Sequence, residues 1–238
     1  MTKRRKKNGG DLLELALPAA ALLASFFVFR PKASAQGTKQ APAQPGTPQG
    51  PAQSGPLTAA GLERVVAIAR RENDSHIREV GGNTDKGPRI EDFQHFVGDY
   101  KNLAWCMAFV QFCVAEALGL SRKPNWGGGS CSGVYGNVRK ALSAGYLDPK
   151  YNAFENDPDK RTKVKPGWVW IKEGHTGLVV GNQGDKPNSF RTIEGNTSVS
   201  GKGYGVFEQS RDWDKSSNVA WFDPIAMQEA WLRMKANA

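Results

Sequence analysis

This 238-residue sequence predicts an α+β domain carried behind a membrane-directed segment. Between Leu62 and Ala144 the apolar residues recur at helical spacing. After Pro166 they collect in short Val- and aromatic-rich runs separated by Gly, Asn and Pro. Before Leu57 the chain holds a basic cluster, one long apolar run and a Pro-, Gln- and Ala-rich stretch. Helices first and antiparallel strands second make an α+β fold, with N-terminal helices packed on an antiparallel β-sheet. A hydrophobic content of 39% with seven Trp suits one folded core.

Residues 1–30 form the first segment. Lys3-Arg4-Arg5-Lys6-Lys7 precedes an apolar run from Leu12 to Phe29, interrupted only by Glu14 and Pro18. As a helix, that run would be roughly 27 Å long, enough to cross a bilayer core. Five basic residues before it, against Arg30 and Lys32 after it, predict an N-terminus in the cytoplasm or interior and the rest of the chain exported. Ala33-Ser34-Ala35 reads as a signal-peptidase site, so secretion after cleavage near Ala35 is the rival. The length of the apolar run favours a retained single-pass transmembrane anchor. Residues 31–57 contain almost no large apolar side chains and predict an extended tether reaching roughly 80 Å.

The folded domain is expected over residues 58–238. Leu62, Val65, Val66 and Ala69 predict a helix to about Glu79, broken by Gly81-Gly82. A shorter helix follows Pro88, with the proline at its start. The next runs from Trp105 to Leu118 and stops at Gly119. A glycine-rich loop, Gly127-Gly128-Gly129-Ser130, precedes a helix from Cys131 to about Ala144. Strands are predicted at Gly167–Lys172, Thr176–Gly181, Ser189–Glu194 and Asn218–Phe222, and an amphipathic helix after Pro224. The net charge of +9 is concentrated before this domain, with seven Lys/Arg in residues 1–32 against Asp11 and Glu14. The folded part is nearly balanced, so nucleic acid is not an expected partner.

Three cysteines are an odd number, which leaves an unpaired thiol in any exported domain. Cys106 is predicted at a helix start, where exposed N–H groups stabilise a thiolate and can hold an oxyanion. Cys113, among Phe109, Val110, Phe112 and Val114, reads as packing. Cys131 also opens a helix and rivals Cys106, so a histidine must decide. His76 and His95 fall on helical segments away from any expected strand. His175 begins a strand whose hairpin loop centres near Asp185, and antiparallel pairing then sets it beside Glu194 or Asn196. Either side chain would fix the imidazole in the tautomer of a general base.

Asn83, Asp85 and Glu91 offer oxygens but not the spacing of a calcium loop, and read as part of a Gly-rich turn. Three scattered histidines and the lack of a C-x-x-C motif give no zinc set. No metal or cofactor is expected.

Together these motifs resemble the CHAP family of peptidoglycan amidases and endopeptidases, within the wider papain-like and NlpC-type group. The resemblance is carried by Trp105-Cys106-x-x-Phe109-Val110, by Gly174-His175-Thr176-Gly177-Leu178-Val179-Val180-Gly181 and by Thr192-Ile193-Glu194-Gly195-Asn196-Thr197. Gly81-Gly82-Asn83 and Gly87-Pro88-Arg89-Ile90-Glu91 also look like the segment that leads into many members. Where the family often has an acidic residue after Pro-Gly, this chain has Trp168. The resemblance spans about residues 60–222 and implies a papain-like fold. It implies a cysteine-dependent N-acetylmuramoyl-L-alanine amidase or endopeptidase, such as a phage lytic or virion-associated bacteriolytic enzyme. Cys106 would then be the nucleophile, His175 the base, and Glu194 with Asn196 the polar groups that orient it. Cys113 and Cys131 would be structural. The expected partners are peptidoglycan, a lipid bilayer through residues 12–29, and a larger envelope or virion assembly. The alternative is a membrane-anchored structural or binding component that keeps the fold without lytic activity.

Overall fold

The computed structural model describes residues 55–98, 104–128, 130–214 and 218–238. The apolar run Leu12–Phe29 and the cleavage motif near Ala35 lie outside the described residues. Among the described residues no helix is long and apolar enough to cross a membrane.

The domain is α+β, as the sequence predicts. Four helices come first: α1 (Gly55–Asp74), α2 (Pro88–Val97), α3 (Cys106–Leu118) and α4 (Cys131–Ser143). Strand β1 (Asn152–Phe154) and the short helix α5 (Lys160–Lys163) lead into β2 (Val169–Lys172), β3 (His175–Gly181), β4 (Ser189–Val199), β5 (Gly203–Asp212) and β6 (Ala220–Phe222). Helix α6 (Pro224–Ala236) ends the fold. The strands form one antiparallel sheet in the order β1-β6-β2-β3-β4-β5.

Local chemistry sets the helix ends. Pro88 opens α2, where its missing N–H costs nothing, and Gly98 closes it in a left-handed conformation. Ser130 caps α4 by accepting the Gly133 N–H at 3.1 Å. The buried carboxylate of Asp223 caps α6 through the N–H groups of Ile225 and Ala226. Helix α1 stops at Asp74, short of the expected Glu79. His76 follows in a left-handed turn, and Arg78 then bridges Gly205 beside β5.

Both faces of the sheet are buried. Val169, Ile171, Leu178, Val180, Ile193, Ala220 and Phe222 join the main core with α1–α4 and α6. The alternate residues Trp168, Trp170, Val179, Phe190, Val219 and Trp221 pack with Trp213 in a second, aromatic cluster. A strand with two dry faces reads as an unbroken apolar run, which is why Trp168–Ile171 and Val219–Phe222 show no polar alternation.

Helix α3 is central. Ten of its 13 residues are buried, and it packs against α1, α2, β3 and β4. The first three helices are also clamped by ions. The buried Glu72 of α1 accepts from Arg71 and from Arg89 of α2, and Arg71 reaches Glu116 of α3 at 2.6 Å. Burial opposes the Glu72 charge, but the two guanidiniums outweigh it and hold its carboxyl below the usual range.

Candidate active site

Cys106 is the first residue of α3, and Trp105 occupies the capping position without offering a side-chain cap. The first-turn N–H groups are therefore left without a capping side chain beside the thiol, and that of Met107 helps to lower its pKa. Trp105 is itself fully buried. Its ring stacks on Phe93 at 6.0 Å and its indole N–H donates to Glu79 at 3.1 Å, fixing the start of the helix.

Strand β3 delivers His175 at its first residue, where its charge favours the ionised form of the nearby Cys106 thiol. The imidazole Nε2 lies 2.8 Å from Glu194 Oε2 on β4, so Nδ1 is the ring nitrogen that the carboxylate does not engage. Pairing of Leu178 with Ile193 and of Val179 with Thr192 fixes this register. The hairpin therefore brings His175 and Glu194 together as the sequence predicts.

Glu194 is fully buried, and all its lone pairs face donors. Thr192 Oγ1 donates to Oε1 at 2.5 Å, Arg211 Nε donates to Oε1 at 2.7 Å, and Arg211 Nη2 donates to Oε2 beside His175. Arg211 lies over the Trp170 ring at 5.3 Å, and that indole also meets the His175 ring edge-on at 5.9 Å. A buried carboxylate without such donors would pay its full desolvation cost. Here burial would raise the Glu194 carboxyl, and Arg211 and His175 outweigh it, holding it down at about 2.

Asn196 is placed otherwise than the symmetric reading of the hairpin allows. The pairing of β4 with β5 shifts between Glu194 and Thr197, and Asn196 turns left-handed with φ 51°. Its amide donates to Asp85 Oδ1 at 3.1 Å, so Asn196 ties the sheet to the loop after α1, while Glu194 holds the imidazole. Asp85 is also left-handed, with φ 54°. Its carboxyl is raised by burial first and by the nearby Glu79 second. Among the described residues no group of acidic, Cys and His side chains is arranged to hold a metal ion.

The other cysteines separate sharply. Cys113 is fully buried, and burial pushes its thiol well up. Cys131, which the resemblance makes structural, faces the nucleophile candidate, with its Sγ 3.8 Å from that of Cys106. A Cys131 S–H directed at Cys106 is the largest influence lowering the Cys106 thiol. Burial opposes it, and His175 and the Met107 N–H add to it, so Cys106 falls well below the ordinary thiol range while Cys131 rises. Burial would lower His175, but the Cys106 thiolate and Glu194 outweigh it and push it up to about 9. These shifts favour a thiolate on Cys106 and a proton on His175, backed by a charged carboxylate. Of the other histidines, His76 is exposed in the turn after α1 and His95 is exposed on α2.

Sequence reasoning missed Arg211, Thr192 and the contact of Cys131 with Cys106. The first depends on β5, which the strand reading left out, although Tyr204–Phe207 carried an aromatic and β-branched signal. No family model, curated protein or solved structure matches the chain.

Proposed function

We propose that this protein is a membrane-tethered cysteine hydrolase of papain-like fold that cleaves an amide bond in the peptide part of peptidoglycan. The observation that carries the reading is the grouping of Cys106, His175 and Glu194: a thiol at an uncapped helix start, an imidazole whose charge favours the thiolate, and a buried carboxylate 2.8 Å from the imidazole Nε2. The resemblance of these same residues to the CHAP motifs suggests the substrate class.

In this mechanism the Cys106 thiolate attacks the scissile carbonyl, and the first-turn N–H groups of α3 stabilise the oxyanion. His175 protonates the leaving amine and so becomes neutral. It then takes a proton from water, which attacks the thioester carbonyl and frees Cys106. Glu194 holds the ring so that Nδ1 faces sulfur, and its charge favours the imidazolium. Thr192 and Arg211 keep Glu194 ionised and immobile.

Leu12–Phe29 serves as the anchor and residues 31–57 as the tether that lets the domain search the wall. N-terminal sequencing of the mature protein tests this: a start at Met1 or Thr2 supports the anchor, and a start at Gln36 replaces it with a signal peptide. Digestion of purified cell walls, with mass analysis of the fragments, tests the chemistry. Freed glycan chains identify an amidase, and cut cross-bridges an endopeptidase. Intact walls that retain bound protein would favour the structural or binding alternative.

A further inference from the structure

Two helices of this fold begin at cysteines that meet. Cys106 opens α3, Cys131 opens α4, and their Sγ atoms are 3.8 Å apart although 25 residues separate them in the chain. Both thiols are free and buried. The third, Cys113, lies two turns farther along α3 inside the core and takes no part. Hydrolysis as proposed above requires no second sulfur at the nucleophile, and a hydroxyl or methyl would fill the same space.

We propose that Cys106 and Cys131 form a reversible disulfide in the presence of a small peroxide, making the nucleophile a modification site that a neighbouring thiol resolves. A disulfide holds its sulfurs about 2.0 Å apart, so the pair must close by about 1.8 Å. Rotation of the two side chains with a small shift of the start of α4 supplies that closure. Cys106 retains 3% of its surface, and the side chain of His175 is 17% exposed, so the reagent must be as small as hydrogen peroxide.

The chemistry balances in two steps. The Cys106 thiolate attacks one peroxide oxygen and breaks the O–O bond, giving a sulfenic acid and a hydroxide that takes the proton of His175 and leaves as water. Cys131 sulfur then attacks the Cys106 sulfur. The S–O bond breaks, and the departing hydroxide leaves as a second water with the Cys131 proton. The two sulfurs together supply the two electrons that reduce the peroxide. Thiol–disulfide exchange with a small dithiol reverses the bond. The bond shields Cys106 from irreversible oxidation to the sulfinic acid, a hazard for any low-pKa thiol in an oxidising compartment. That it also halts hydrolysis rests on the proposed function; the bond itself does not.

The test is peptide mapping of the full chain after brief exposure to hydrogen peroxide, read by mass and free-thiol titration without an activity assay. The expected result is a fall from three free thiols to one, a mass loss of two hydrogens, and a linked Cys106–Cys131 peptide that dithiothreitol separates. Cys113→Ser should form the same link. Cys131→Ser should instead add oxygen irreversibly at Cys106. Oxygen added to wild-type Cys106 while Cys131 still reacts with an alkylating reagent would overturn the proposal, as would a link to Cys113. Should Cys131→Ser fail to fold, the wild-type and Cys113→Ser maps still decide between these outcomes.

Discussion

Gly177 leaves open the space that the Glu194 side chain fills: a Cβ on residue 177 would sit 2.5 Å from Glu194 Cγ. The carboxylate crosses its neighbouring strand at this gap to reach His175. Gly195 performs a similar service on β4, where a Cβ would meet the Trp105 ring at 2.6 Å and hold the sheet away from α3. Two glycines thus set how closely α3, β3 and β4 approach at the site.

Gly177→Ala should therefore displace Glu194 while leaving the sheet intact. The carboxylate cannot yield easily, because Thr192 and Arg211 hold its far end. A loss of about 100-fold in kcat is expected from misplacing the imidazole, with an unchanged circular dichroism spectrum. Full activity in this variant would show that the Glu194 position does not govern His175.

Glu194→Gln should lower kcat by a few orders of magnitude, since an amide cannot stabilise the imidazolium. It should also lower the melting temperature, because Arg211 loses its carboxylate; breaking a buried pair costs about 3–5 kcal/mol, and less here since Arg211 is partly exposed. Asn196→Ala should keep kcat within about tenfold and lose about 1–2 kcal/mol, because alanine dislikes the left-handed conformation. Asn196→Gly should recover part of that loss. Equal kcat losses in Glu194→Gln and Asn196→Ala would return Asn196 to the catalytic set.

Activity should follow a broad pH profile. The competent form holds a Cys106 thiolate and a protonated His175, so the rate rises as Cys106 deprotonates, well below the ordinary thiol value, and falls as His175 loses its proton through about 9. The stability contributions have matching signs. His175, raised on folding, stabilises fully below its unfolded value of about 6.5, and this is lost as pH rises through about 9. Glu194, depressed on folding, stabilises fully above about 4.3, and this is lost as pH falls toward about 2. Iodoacetamide labelling of Cys106 across this range measures the thiolate directly. A labelling curve that climbs only near pH 8.5, as for a free thiol, would contradict the ion pair.

Cys113→Ser should leave both hydrolysis and Cys106 labelling close to wild type, at a modest cost in melting temperature, since its thiol is sealed in the core. Rapid alkylation of Cys113 in the folded protein would show that α3 opens in solution.

What the sequence made legible was local or symmetric. Helix starts at Pro88, Cys106 and Cys131, the stop at Gly119, and the His175–Glu194 pairing all follow from short-range rules. Periodicity alone could not separate Glu194 from Asn196, because both lie on one face of a regular strand. A register shift after Glu194 turns Asn196 toward Asp85, and such irregularities leave little trace in composition. Arg211 and Cys131 reach the site from β5 and α4, distant in sequence, so their contacts depend on tertiary packing that no spacing encodes. The buried hub of Glu72, Arg71 and Arg89 was hidden for the same reason.

The central claim is that Cys106 hydrolyses an amide of the wall peptide, and the most direct measurement is release of new amino groups from purified peptidoglycan by wild type, Cys106→Ala and Cys113→Ser side by side. The account predicts steady release by wild type and Cys113→Ser and none above background by Cys106→Ala, with all three proteins equally folded. Undiminished release by Cys106→Ala, or none by folded, reduced wild type, would contradict it.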